Sequence, residues 1–269
     1  MTNSVIAEIL VLRKRASTWI LLATWTALSL FFSYVLPYVE ARSITELLPE
    51  GLAGTLVRGF PFFGGVFALM LGVLAAGSDY SWDTVKTLFT QGPGRLRVLS
   101  AKLMALASIL VLFVVSVAVT SAVASYVVAQ VENASLDWPS AWLLIRTLGA
   151  GWFVLLVWGA LGVMLAVLSR GTSLAIGIGI LYALVIEGLL SALASQLDAF
   201  ENVSEFFLRT NSYSLANALG ASTETIADSG PGAFAGPYVS SGQALLVLAA
   251  YVVCFVLAAA VALRRRDVS

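Results

Sequence analysis

Residues 103–130 read LMALASILVLFVVSVAVTSAVASYVVAQ, a run of 28 residues without a charged side chain. About 20 predominantly apolar residues allow a helix to cross the roughly 30 Å hydrocarbon core of a membrane. This run is therefore predicted to be a membrane-spanning helix that tilts or projects beyond the bilayer. Five more stretches meet the same criterion, so the sequence predicts six spans, at about 18–38, 60–77, 103–130, 141–168, 172–197 and 243–263.

The composition of the whole chain agrees with this prediction. Of its 269 residues, 59% are hydrophobic and 11% are charged, whereas a soluble domain is about 45–50% apolar and about 25% charged. The alternating apolar and polar pattern of a membrane β-barrel is missing. We therefore expect an all-α integral membrane protein with a single transmembrane domain over residues 1–269.

The positions of the lysines and arginines predict which side of the membrane each loop occupies. If both termini are cytoplasmic, eleven of the fifteen cationic residues lie in cytoplasmic segments, and the four external ones are Arg42, Arg58, Arg146 and Arg209. Because cytoplasmic loops are enriched in Lys and Arg, both termini are predicted to be cytoplasmic. The net charge of zero gives no reason to expect a nucleic-acid partner.

Several chemistries are excluded by residues that the sequence lacks. The chain has no histidine and one cysteine, Cys254, which excludes histidine catalysis, an internal disulfide and a cysteine zinc cluster. It contains no G-x-x-x-x-G-K-[ST] loop to hold the phosphates of ATP and no TVGYG potassium filter. We therefore expect no ATP hydrolysis by the chain itself, no cofactor in it and no metal site.

Two segments outside the spans are predicted to form helices of their own. Residues 2–16 resemble an amphipathic interfacial helix, because Ile6, Ile9 and Leu10 share one face ahead of a basic run at 13–15. The alternative is an ordinary basic flank that fixes topology. The external segment at 198–242 is too long for a simple loop, so we expect one or two short helices in it that dip toward the bilayer.

The cytoplasmic segment at 78–101 carries the most informative pattern outside the spans. A short helix is expected to end near Thr90, since the Gly92-Pro93-Gly94 sequence stops a helix. Aromatic side chains next to basic ones suit a docking surface, or else they belong to the aromatic belt at a membrane boundary. The candidate residues are Asp79, Tyr80, Trp82, Thr84, Lys86, Leu88, Phe89, Thr90, Pro93 and Arg95.

Glu187 is the one acidic residue well inside a predicted span. An ionisable group at that depth is costly and usually faces a cavity, a partner or a transport pathway. A role in transport and a structural role, either as a hydrogen-bonding group or as a carboxyl held protonated by its apolar surroundings, are equally compatible with the sequence. The glycines of the fourth and fifth spans are expected to allow close helix packing; they are Gly159, Gly162, Gly177 and Gly179.

In the order of its elements, the chain resembles the membrane (permease) subunit of exporter-type (type 2) ABC transporters. The shared features are the N-terminal amphipathic helix, six spans, the cytoplasmic segment after the second span, the long external segment before the sixth, and a basic C-terminal tail. The family pattern in the cytoplasmic segment has an acidic residue, Gly-Thr, Leu-Leu-Thr, a proline, an arginine and a lysine. This sequence has Asp79 for the usual glutamate and Asp83 for the usual glycine, followed by Thr84, Leu88, Thr90, Pro93, Arg95 and Lys102.

The resemblance implies an ATP-driven exporter in a bacterial or archaeal cytoplasmic (inner) membrane. Two permease subunits, identical or paralogous, would bind two separate ATP-binding subunits that hold ATP and Mg. Residues 79–95 would be the coupling helix that docks on the ATPase, and spans two and five would line the transport path near Glu187. Two other classes stay open: a stand-alone secondary transporter or channel that uses Glu187, and a membrane-embedded scaffold protein.

Overall fold

The computed structural model describes residues 2–40, 44–81, 94–189, 203–220 and 238–265. The regular secondary structure of these ranges is entirely helical. We number the main helices in chain order as α1 (Thr2–Lys14), α2 (Ala16–Val39), α3 (Leu52–Gly59), α4 (Gly65–Ser81), α5 (Arg95–Val131), α6 (Ala141–Ser169), α7 (Thr172–Leu189), α8 (Leu208–Gly220) and α9 (Ser241–Arg265).

Five of these helices are long and apolar enough to cross a membrane, namely α2, α5, α6, α7 and α9. They overlap predicted spans one, three, four, five and six. In place of the second predicted span, at 60–77, the structure has a shorter apolar helix, Gly65–Asp79. It continues from α3 through the π turn Phe60–Gly64. The fold is therefore that of an all-α, multi-pass protein with five helices of membrane-spanning length.

Local deviations from regular α-helix follow the prolines in two places. The π turn Phe31–Val35 inside α2 precedes Pro37, and the π turn Phe60–Gly64 contains Pro61. A proline ring clashes with the carbonyl four residues earlier and removes a donor, so the helix widens locally rather than ending. A third π turn, Leu181–Ile186, lies in α7 directly before Glu187 and contains no proline.

Trp25 of α2 contacts α5, α4 and the π turn that precedes α4. Its side chain is fully buried, and its ring centroid lies 6.2 Å from that of Phe60 and 6.0 Å from that of Phe67. The indole N–H donates to the carbonyl oxygen of Phe113 in α5 at 3.5 Å. A methyl group at Gly64 would collide with the Trp25 ring, so glycine lets the π turn lie directly against it.

The closest approach between two helices joins α4 to α6. A methyl group at Gly72 would overlap the carbonyl oxygen of Gly159, and one at Gly162 would overlap the carbonyl oxygen of Leu69. Glycines here let the two backbones pack at a distance that any side chain would prevent. Gly159 and Gly162 thus act as expected from the sequence, but Gly177 does not, because its position opens onto free space.

The N-terminal helix α1 packs on α5 and turns Glu8, Ile9 and Leu12 toward it. Leu12 is buried and Ile9 packs against the core, whereas Ile6 and Leu10 are exposed. Two of the three residues of the predicted apolar face therefore lie on the outer surface of α1, and Ile9 lies on its inner side. That this outer surface rests in the membrane interface stays a prediction.

Helix α8 is the main helix among the described residues of the long segment at 198–242, and other helices surround it. It packs against α6 and α9 and contacts α3. Its polar side chains are nevertheless buried, including Thr210, Asn211, Ser212, Ser214 and Asn217. Buried polar groups need hydrogen-bond partners, which makes this helix and its end contacts a natural place to look for specific polar interactions.

Candidate functional site

Only part of the predicted cytoplasmic site falls on described residues. Asp79 and Tyr80 belong to the last turn of α4, and Arg95 begins α5. The other predicted residues lie outside the described ranges; they are Trp82, Thr84, Lys86, Leu88, Phe89, Thr90 and Pro93. The structure therefore bears on the two ends of the cytoplasmic segment, where α4 finishes and α5 starts.

Asp79 is held by Lys102, one of the residues in the resemblance pattern. The Lys102 Nζ lies 2.7 Å from Asp79 Oδ2 and 3.1 Å from Glu8 Oε2, and it donates to the carbonyl oxygen of Ala75 at 3.0 Å. An ammonium group has three N–H donors, and each has an acceptor here. The lysine side chain is 8% exposed, against 16% for Glu8 and 19% for Asp79, so the three charges form a largely desolvated group.

Arg15 adds a fourth charge at the junction of α1 and α2. Its Nη1 donates to the carbonyl oxygen of Leu74 in α4 at 2.7 Å. Burial lowers the pKa of the Arg15 guanidinium, and the negative charges of Asp79 and Glu8 act in the opposite direction. We call Glu8, Arg15, Asp79 and Lys102 the four-charge cluster; its formal charges sum to zero, which is what makes burial tolerable.

The four-charge cluster joins the N-terminal helix to both ends of the cytoplasmic segment. Glu8 belongs to α1, Asp79 to the end of α4 and Lys102 to the beginning of α5. Removing one partner from a buried ion pair costs about 3–5 kcal/mol, because it leaves the other charge unpaired, so each of these helix ends depends on the charges of the others. The cluster contains no nucleophile with a neighbouring base, and its chemistry is that of a structural joint.

Arg95, the last of the predicted coupling residues, contacts the other end of the chain. Its Nη1 donates to the carbonyl oxygen of Leu263 near the end of α9, at 2.8 Å. The last carbonyls of a helix have no partner within the helix, and arginine is well suited to bind them. This contact ties the start of α5 to the final turns of α9.

Glu187 is 1% exposed within the single chain and binds polar groups on two helices. Its Oε1 accepts a hydrogen bond from the Tyr182 hydroxyl at 2.8 Å and another from the backbone N–H of Arg209 at 3.2 Å. Arg209 lies in the first turn of α8, whose first N–H groups have no partner within the helix. Glu187 therefore caps α8 from another helix, because its side-chain oxygen accepts a hydrogen bond from one of these N–H groups.

The π turn before Glu187 and the contact with α8 together position this carboxylate. The π turn Leu181–Ile186 changes the direction of the side chains that follow it, and Tyr182 lies inside this turn. Glu187 Oε2 is buried and has no hydrogen-bond partner among the described residues. In this arrangement Oε1 accepts the two hydrogen bonds that join α7 to α8, and Oε2 could accept a hydrogen bond from a further donor.

A family profile matches residues 20–269. The chain belongs to the family described as "Protein of unknown function (DUF2705)". In this DUF2705 chain the matched region contains Asp79, Lys102 and Glu187, whereas Glu8 and Arg15 precede it. No curated protein matches the chain.

Sequence reasoning missed three partners in these sites: Glu8, Arg15 and the first turn of α8 around Arg209. The signal for Glu8 was present, because it is the only acidic residue among the apolar positions of residues 2–14. The partner of Glu187 had no comparable signal, since a backbone N–H is available at the start of every helix. The described residues contain no group of three or more metal-ligating side chains.

Proposed function

We propose that this DUF2705 chain is the permease subunit of an ATP-driven ABC exporter. It would form the transmembrane path and couple to two separate ATP-binding subunits, which would hold ATP and Mg. A second copy, or a paralogue, would complete the permease pair in a bacterial or archaeal cytoplasmic membrane. The observation that carries the proposal is the four-charge cluster, which binds α1 to the ends of the two helices that flank the cytoplasmic segment.

The four-charge cluster would transmit a force on the cytoplasmic segment to three helices. A partner that pushes on residues 82–93 moves the end of α4 and the start of α5, and the joint makes α1 move with them. An unattached loop would absorb such a push by bending. A firmly held helix–segment–helix unit suits a protein whose energy source is a separate subunit on the cytoplasmic side.

The proposal includes a sixth span and a defined orientation. Helix α4 would complete the second span together with the preceding π turn Phe60–Gly64, because the chain is helical without interruption from Leu52 to Ser81. Both termini and residues 78–101 would be cytoplasmic. Residues 198–242 would then lie at the external end, with α8 enclosed by the spans.

Orientation can be tested with single cysteines in a Cys254→Ala background, since the native cysteine is exposed. Gly94→Cys places a thiol on an exposed residue with open space around it, and Ser135→Cys places one in the exposed loop between α5 and α6. A membrane-impermeant thiol reagent added outside intact cells should label Cys at 135 and not at 94. Labelling of both from outside contradicts the proposed orientation.

The coupling role is tested by co-expressing the chain with its neighbouring reading frames and asking whether a P-loop ATP-binding subunit co-purifies with it. Trp82→Ala and Phe89→Ala should weaken that association by about 1–3 kcal/mol each, since large aromatic side chains commonly anchor docked helices. Trp142→Ala is the matched control, because Trp142 is 67% exposed at the opposite end of the bundle. The chain alone should not hydrolyse ATP, and cargo should stimulate hydrolysis only in the assembled complex.

The outcomes test the docking assignment and separate a stand-alone transporter or channel from the exporter. If both aromatic variants bind and transport like the parent, the docking assignment is wrong. Transport that persists without any ATP-binding subunit would favour a stand-alone secondary transporter or channel. The engagement of Glu187 by Tyr182 and α8 argues against that alternative, because a carboxylate that caps a helix is poorly placed to carry ions.

A further inference from the structure

A cleft of about 510 Å³ lies between the start of α5 and the end of α9. Its lining residues are Gly94, Arg95, Leu96, Arg97 and Arg264. Three of these five described residues are arginines, so the cleft carries positive charge, while most of its wall is apolar. Within the described part of the chain, Arg97 and Arg264 are exposed and form no ion pair, which leaves their charges available to an anion.

The contact between Arg95 and α9 indicates where this cleft lies relative to the membrane surface. Arg95 Nη1 donates to the carbonyl oxygen of Leu263, and Leu263 is the last apolar residue of α9 before the basic tail. The apolar part of a membrane-spanning helix ends where the hydrocarbon ends. The guanidinium groups of the cleft therefore lie at the boundary where lipid headgroups begin.

We propose that this cleft binds the phosphate group of an anionic lipid headgroup. The planar fork of N–H donors on arginine matches the oxygens of a phosphate, and paired bonds of this kind are short and strong. Arg97 approaches from α5 and Arg264 from α9, so a phosphate bound between them would bridge the two helices. A lipid fits better than free phosphate, because the cleft opens at headgroup depth and its volume exceeds that of the phosphate alone.

Binding there would have a consequence for the bundle. The Arg95 contact already joins the start of α5 to the end of α9, and a bridging phosphate would add a second tie that depends on the composition of the membrane. Basic segments near a membrane surface gain about 1 kcal/mol per cation from anionic lipids, which corresponds to roughly a fivefold change in binding for each arginine.

The test measures lipid retained by the full chain. The purified protein is equilibrated in mixed micelles with equal amounts of phosphatidylglycerol and phosphatidylcholine, and bound lipid is counted by native mass spectrometry. The parent should retain phosphatidylglycerol in preference to phosphatidylcholine. Arg97→Gln and Arg264→Gln should each reduce that retention about fivefold, and the double variant about 25-fold. Arg170→Gln, an exposed cytoplasmic-side arginine away from the cleft, should retain lipid like the parent.

The possible results discriminate clearly. A double variant that retains phosphatidylglycerol like the parent overturns the proposal, and so does an equal loss in Arg170→Gln, which would indicate a general effect of charge. Displacement of the lipid by inorganic phosphate would overturn the lipid assignment in favour of a soluble phosphate. Equal melting temperatures of all variants in an uncharged detergent ensure that a loss of lipid does not come from misfolding.

Discussion

Replacing Lys102 by methionine should be among the most destabilising single changes that conserve side-chain volume in this chain. The substitution removes the cation that contacts both Asp79 and Glu8 and leaves the carbonyl oxygen of Ala75 without its donor. Removal of one partner from a buried ion pair costs about 3–5 kcal/mol. Because the two carboxylates keep 16% and 19% of their exposure,, water offsets part of this loss, and we expect about 2–4 kcal/mol.

The assay is equilibrium unfolding in mixed micelles with increasing dodecyl sulfate, followed by tryptophan fluorescence. Seven tryptophans provide the signal. Lys14→Met is the matched control, because it makes the same substitution at an exposed position of α1, outside the four-charge cluster, where substitutions usually change stability by less than about 0.5 kcal/mol.

A double-mutant cycle identifies the source of the loss. Glu8→Gln combined with Lys102→Met should show an interaction energy of about 0.5–3 kcal/mol, as expected for residues in contact. A Lys102→Met variant as stable as the control, together with additive effects of the two changes, would refute the joint and with it the main support for the coupling proposal.

Two further substitution pairs test other parts of the fold by the same assay. Glu187→Leu should lose about 1–3 kcal/mol, because it leaves the first turn of α8 at Arg209 without its acceptor, and Glu187→Gln should lose less since it keeps an acceptor oxygen; equal losses would argue against the capping role. Gly162→Ala should cost about 1–3 kcal/mol, since its methyl group overlaps the backbone of α4, whereas Gly177→Ala should be neutral or slightly stabilising; a silent Gly162→Ala would contradict the close α4–α6 contact.

The membrane-length helices could be predicted because the signal is local. A run of apolar residues predicts a span without reference to any other part of the chain, and five of the six predicted spans coincide with helices of sufficient length. The second predicted span is split by Pro61 and by the glycines around it into a π turn and a shorter apolar helix. Hydropathy counts residues and does not register such a change of helix type.

The polar contacts could not be predicted because their partners are distant in the chain. Lys102 and Glu8 are 94 positions apart, and Glu187 and Arg209 are 22 apart. Nothing in a periodic pattern shows which of several charges near a membrane boundary will meet.

Asp79 was predicted as a coupling residue and Glu187 as an acidic residue inside a span. In the structure, each of them binds a group near the end of another helix. Asp79 fixes the end of α4 to the start of α5 through Lys102, and Glu187 fixes the start of α8 to α7. If the helices rock as the proposed exporter requires, we expect α1, α4 and α5 to move as one unit and α7 and α8 as another. Separating the helices of either unit would leave a buried charged or polar group without its partner. Motion would then occur between the units, which meet where Leu69 of α4 lies against Gly179 of α7.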